Sequence, residues 1–102
     1  MGKICSSTLL LEDEKVRVTL FDFDPGQEIG WHVHEYDYLI TAVTDCFMML
    51  QHPDGSQTLS EVPAGNAYSR DAGVSHNVIN TSDQQMSFIE IELKNSKVAE
   101  KN

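Results

Sequence analysis

Gly26-Gln27-Glu28-Ile29-Gly30-Trp31-His32-Val33-His34-Glu35-Tyr36-Asp37-Tyr38 is the stretch on which the reading of this chain turns. His32 and His34 stand two apart on an expected strand, and side chains at i and i+2 of a strand share one face. A third histidine, His76, lies four residues ahead of Asn80 on a much later expected strand. Two imidazoles from one strand and one from another could close a three-nitrogen metal site. The chain has 4 histidines in all, so three of them are read as serving one ion.

Working outward, apolar residues recur with a period near two, and no stretch sustains a helical pattern. The chain therefore reads as all-β. Expected strands are Leu9–Leu11, Val16–Phe23, Glu28–Val33, Tyr36–Val43, Cys46–Gln51, Thr58–Val62, Ala67–Arg70, Ser75–Asn80 and Met86–Leu93. Turn signals such as Asp24-Pro25-Gly26, Pro53-Asp54-Gly55 and Asp71-Ala72-Gly73 separate them. Short strands at this spacing imply a sandwich or barrel, and 102 residues suffice for a single domain. Ser96–Asn102 is polar and reads as a frayed tail.

Cys46-Phe47-Met48-Met49-Leu50 is apolar on both faces, and Tyr36–Val43 nearly so, with Tyr36, Tyr38, Ile40 and Ala42 on the histidine side. One face should line a barrel. The other should meet a second copy in a homodimer, or be covered by the chain's own N- or C-terminal strand.

Composition excludes several partner classes. The net charge is −9, with 7 Lys and Arg against 16 Asp and Glu, so neither nucleic acid nor an anionic membrane surface is an expected partner. No apolar run is long enough to span a bilayer, and the N-terminus lacks the features of a signal peptide. Cys5 and Cys46 form no disulfide or zinc-knuckle pattern, which fits reduced thiols and a cytoplasmic location. Met1-Gly2-Lys3-Ile4-Cys5-Ser6 matches a short myristoylation pattern that arises often by chance.

Gly26-x5-His32-x-His34-x3-Tyr38-x6-Asp45, followed by Gly65-x5-Asp71-x-Gly73-x2-His76-x3-Asn80, resembles the two sequence motifs of the cupin family. The run from Gly30 to Tyr38 is similar to that of small cupins associated with β-alanine degradation. The resemblance implies a double-stranded β-helix, the jelly-roll barrel of that family, with a metal inside the barrel mouth. It implies a divalent transition metal, Fe, Ni, Zn or Mn, held by His32, His34 and His76. Three departures stand out: Tyr38 occupies the place of the usual metal-binding Glu, Asp45 that of a turn Gly, and Asp71 that of a Pro.

Strand parity puts Tyr38 on the histidine face, as a weak fourth group or a neighbour that positions substrate or shuttles a proton, while Asp37 points away unless the strand bulges. Three neutral imidazoles would leave a dication with its full charge and open positions for a small anionic molecule. The expected function is a metal-dependent dioxygenase or an isomerase/lyase. The alternatives are a non-catalytic ligand-binding or sensor protein using the same metal, and a metal-free barrel.

Weaker candidates complete the reading. His52 reads as a surface histidine of a hairpin, and Asn80 as fixing a turn or a strand end. Trip points for the chain at Gly26 and Gly73 read as turn geometry. Trp31, Tyr36, Tyr68, Met48 and Phe88 read as core or as pocket lining.

Overall fold

The computed structural model describes residues 3–96. Nine strands follow in order: β1 (Ser6–Glu12), β2 (Val16–Phe23), β3 (His32–Val33), β4 (Asp37–Ala42), β5 (Cys46–Gln51), β6 (Gln57–Val62), β7 (Ala67–Arg70), β8 (Ser75–Asn80) and β9 (Met86–Leu93). A 3-10 turn at Lys94–Ser96 ends the described chain, so the expected tail falls outside it apart from Ser96. The strands form a five-stranded sheet, β1-β2-β9-β4-β7, and a four-stranded sheet, β3-β8-β5-β6, with antiparallel pairing throughout. This is the double-stranded β-helix that the motifs imply.

Residues with a period-two pattern form these strands, and their shared register gathers one core between the sheets. Phe23, Ile40, Ala42, Cys46, Met48, Val62, Val78, Met86 and Phe88 are buried there, with Tyr38 closing the top. Phe88 stacks at a tilt against Phe21 and Phe23, at 5.6 and 5.4 Å between centroids. Burying one such side chain contributes about 1.5–3 kcal/mol.

The expected strand Glu28–Val33 is broken. Gly30 takes φ +96°, a left-handed conformation that a side-chain-bearing residue rarely adopts, and its N–H donates to Asn77 Oδ1 at 3.0 Å. Upstream, Glu28 makes only isolated bridges, to Ile4 and Ile79. The short β3 that remains pairs His32 directly opposite His76.

Neither terminal strand covers an outer face. β1 extends the five-stranded sheet beside β2, and β9 lies inside that sheet between β2 and β4. The outer face of this sheet is apolar: Val16, Val18 and Leu20 of β2 are in register with Leu93, Ile91 and Ile89 of β9, and Leu39 of β4 pairs with Ile91. At its edge Leu9, Leu10 and Leu11 are each at least half exposed. No helix among the described residues is long and apolar enough to cross a membrane.

Candidate metal centre

The pairing of β3 with β8 delivers His32 and His76 from adjacent strands, and the chain leaving β3 delivers His34. His34 is anchored by its backbone, its N–H donating to Val74 O and its carbonyl accepting from Gly73 N–H, both at 2.8 Å. The three imidazoles converge through one atom each. His32 Nε2 and His34 Nε2 are 2.9 Å apart, and His34 Nε2 and His76 Nε2 are 3.1 Å apart. The rings meet edge to face, at 71–86° between planes.

Hydrogen bonds alone do not account for this arrangement. His32 Nδ1–H donates to Gly30 O at 2.7 Å, so neutral His32 presents a bare Nε2 lone pair to the cluster. One proton on His34 Nε2 would then have to serve two neighbours. A cation at the centre resolves the conflict by receiving all three lone pairs. Nitrogens about 2.1 Å from one centre and about 90° apart lie about 3.0 Å from each other, the spacing of the His32–His34 and His34–His76 pairs. The Gly30 carbonyl supplies the orienting contact typical of metal-ligating histidines. The residues present therefore fit a divalent transition metal.

The electrostatics agree. Burial, reinforced by the neighbouring imidazoles, lowers His34 to about 3; burial and His32 lower His76 to about 4. Both rings are thus neutral at pH 7, the form that ligates.

Tyr38 is buried at 2 % exposure and lies flat on His34, 3.7 Å between centroids and 14° between planes. Burial first, then Tyr68 and Glu90, push its phenol well above the usual tyrosine range, so it is protonated at neutral pH. Asp37 points away, as its parity implies: its carboxylate accepts from Ala72 N–H at 2.8 Å and anchors the turn that precedes β8. Asp45, in the place of a turn Gly, accepts from Ala64 N–H at 2.9 Å.

Facing the histidines is a wall that the sequence reading missed, because strand parity groups Phe88, Glu90 and Glu92 without saying which way they face. Phe88, Glu90 and Glu92 share one face of β9, and Phe88 is core, so both carboxylates point inward. Glu90 reaches within 3.8 Å of His34 Nδ1, too far for a hydrogen bond but close enough for electrostatic contact. Burial, then Glu92, raises its carboxyl to about 7. Arg17 of β2 donates from Nε and Nη2 to both oxygens of Glu92, at 2.7 and 3.0 Å. These residues, with Phe21, Ile29, Val33 and Glu35, line a cavity of about 320 Å³ that opens onto His32 and His34.

The other candidates separate from the site. Met48 and Phe88 are core and Tyr68 packs against it, whereas Trp31 is 56 % exposed and Tyr36 lies beneath the Arg17 guanidinium. None of the five lines this cavity; Met48, Phe88 and Tyr68 are core or packed on it, and Trp31 and Tyr36 are neither core nor pocket lining. His52 bonds Thr58 Oγ1 in its hairpin and is not among the converging ligands. Asn80 is fully buried and ties Phe23 O, Gln84 O and Ser82 together, a structural role at a strand end.

The family model described as Cupin domain matches residues 19–92. The chain belongs to the cupin family. This cupin is 42% identical over 87 residues to the β-alanine degradation protein BauB of Pseudomonas aeruginosa, covering 85% of this chain and 90% of that one. The crystal structure of a cupin domain from Bordetella pertussis Tohama I is similar at TM-score 0.87 and 39% identity, over 92% of this chain and 97% of the other. The polyketide cyclase RemF of Streptomyces resistomycificus shares the fold, at TM-score 0.71 and 19% identity, over 95% of this chain and 75% of its own.

Proposed function

We propose that this cupin is a metal-dependent enzyme, a dioxygenase or an isomerase/lyase, acting on a small metabolite that carries a carboxylate. The observation that carries the proposal is the convergence of His32, His34 and His76 through three Nε2 atoms beside a cavity of about 320 Å³. His32, His34 and His76 would hold the ion, Fe, Ni, Zn or Mn. The chemistry supplied by a bound divalent ion is Lewis acidity or, for iron(II), the activation of dioxygen. The protein's own contribution is positional. Tyr38 fixes the plane of the His34 ring by stacking, and its phenol stays protonated beside the cluster. Phe21 and Ile29 exclude water from one side of the cavity. The name of the Pseudomonas relative, a β-alanine degradation protein, supports small acids and amino acids as the substrates to screen.

Metal content of natively purified protein, followed by anaerobic iron loading and an oxygen-uptake and product screen over small acids, tests the proposal. One equivalent of metal lost in His34→Ala, together with turnover of at least one acid, is the expected result. Full metal retention by His34→Ala, or no turnover with any metal, would sink it.

We also propose a homodimer joined through the apolar outer face of the five-stranded sheet, and a cytosolic location. The uncovered row Leu11, Val18, Ile91 and Leu39 supports the first. The free thiols of Cys5 and Cys46 support the second.

A further inference from the structure

The cavity beside the histidines is lined by three carboxylates, Glu35, Glu90 and Glu92, and one cation, Arg17. That cation is committed elsewhere. It grips both oxygens of Glu92, its Nη1 lies 3.9 Å from Glu12, and its guanidinium stands 5.9 Å from the Tyr36 ring centroid. Glu90 is placed differently. It is 7 % exposed, and among the described residues no Lys or Arg lies within 4.0 Å of its carboxylate; the nearest ionisable nitrogen belongs to His34.

Such a wall is unsuited to a plain anion. Carboxylates facing a shared low-dielectric cavity repel a second anion and attract a cation, and burying one without a cationic partner is costly. The same cavity also opens onto His32 and His34 of the histidine cluster, which when loaded with a dication would attract an anion. Carboxylates and a candidate cation site thus border one small space. A volume of about 320 Å³ stands at the low end of ligand sites, room for about ten water-sized groups at about 30 Å³ each, which suits a small metabolite.

We propose that Glu90 determines specificity by receiving the ammonium group of a short-chain amino acid whose carboxylate is held at the histidine end. This rests on the metal-centre reading above and narrows its substrate class from small acids to small zwitterions. Glu92 backs the site by holding Arg17 away from the ligand, so that no guanidinium competes for the ammonium position.

Calorimetric titration of the zinc-loaded protein tests this, with glycine, β-alanine and 4-aminobutyrate each set against its amine-free partner, acetate, propanoate and butyrate. At least one amino acid should bind tenfold or more tightly than its partner. In Glu90→Gln, with zinc content verified, that ratio should fall to within threefold of one while affinity for the plain acid holds or rises. Zinc content is verified again after each titration, so that zinc stripped by a chelating amino acid is not read as a change in the ratio.

Absence of amino-acid preference in the wild type, absence of amino-acid binding by protein carrying one equivalent of zinc, or survival of the ratio in Glu90→Gln would each overturn the proposal. A chain that takes up no zinc refutes the metal centre instead. The same titrations of the metal-free protein then decide Glu90 by the same ratio.

Discussion

The two faces of the five-stranded sheet invert the usual arrangement near the barrel mouth. Its inner face carries Arg17, Glu90, Glu92 and Tyr38 around the histidines, whereas its outer face carries Val16, Val18, Leu20, Ile89, Ile91 and Leu93. Deeper in the barrel the inner face becomes apolar again, through Phe21, Phe88, Phe23 and Met86. The difference teaches how one alternating pattern can serve two ends: on the proposals above, the polar stripe serves the site and the apolar stripe a contact between copies. An apolar outer face is costly in water unless something covers it.

Mutations on the two faces should therefore fail in different ways. Phe88→Ala, on the inner face below the site, should lower stability by about 3–5 kcal/mol in chemical denaturation, because it leaves a cavity in the core. Ile91→Asp, on the outer face, should leave the fold intact but raise the dimer dissociation constant by about a hundredfold or more, about 2.7 kcal/mol, read by light scattering across a dilution series. If Ile91→Asp instead unfolds a chain that is already monomeric, the outer face is not an interface between copies.

The inner face should also respond to acid. His34 and His76 have folded values of about 3 and about 4, below the ordinary 6.5, so the unfolded chain binds two more protons than the metal-free folded chain as pH falls below 6.5. Glu90, raised to about 7, acts oppositely between its ordinary value near 4.5 and 7, with the folded chain binding one more proton. The net difference of one proton means that metal-free protein should lose about 2 kcal/mol between pH 6.5 and 5. Denaturation midpoints at those two values check it; an unchanged or rising stability would mean the rings are not buried neutral. The smallest effect belongs to the mouth. Glu92→Gln should cost about 1–2 kcal/mol by loosening the bidentate grip on Arg17, with part of the loss masked in high salt.

Much of this was legible in the chain. Period-two patterning located all nine strands because alternation is a local property of a half-buried strand, and the histidine spacings identified the cluster because side chains two apart must share a face. The exception among the strands, Glu28–Val33, fails at Gly30, which takes a positive φ and whose N–H is held by Asn77, 47 residues away.

Alternation alone is symmetric: in Met86-Ser87-Phe88-Ile89-Glu90-Ile91-Glu92-Leu93 it separates Ile89, Ile91 and Leu93 from Glu90 and Glu92 without saying which set faces inward. By itself, then, the sequence determined an all-β cupin chain with three histidines able to meet. Only the tertiary structure decided that the two glutamates join them and that the isoleucines look outward. That choice depends on which strands oppose one another across the barrel, a non-local fact that no single strand encodes.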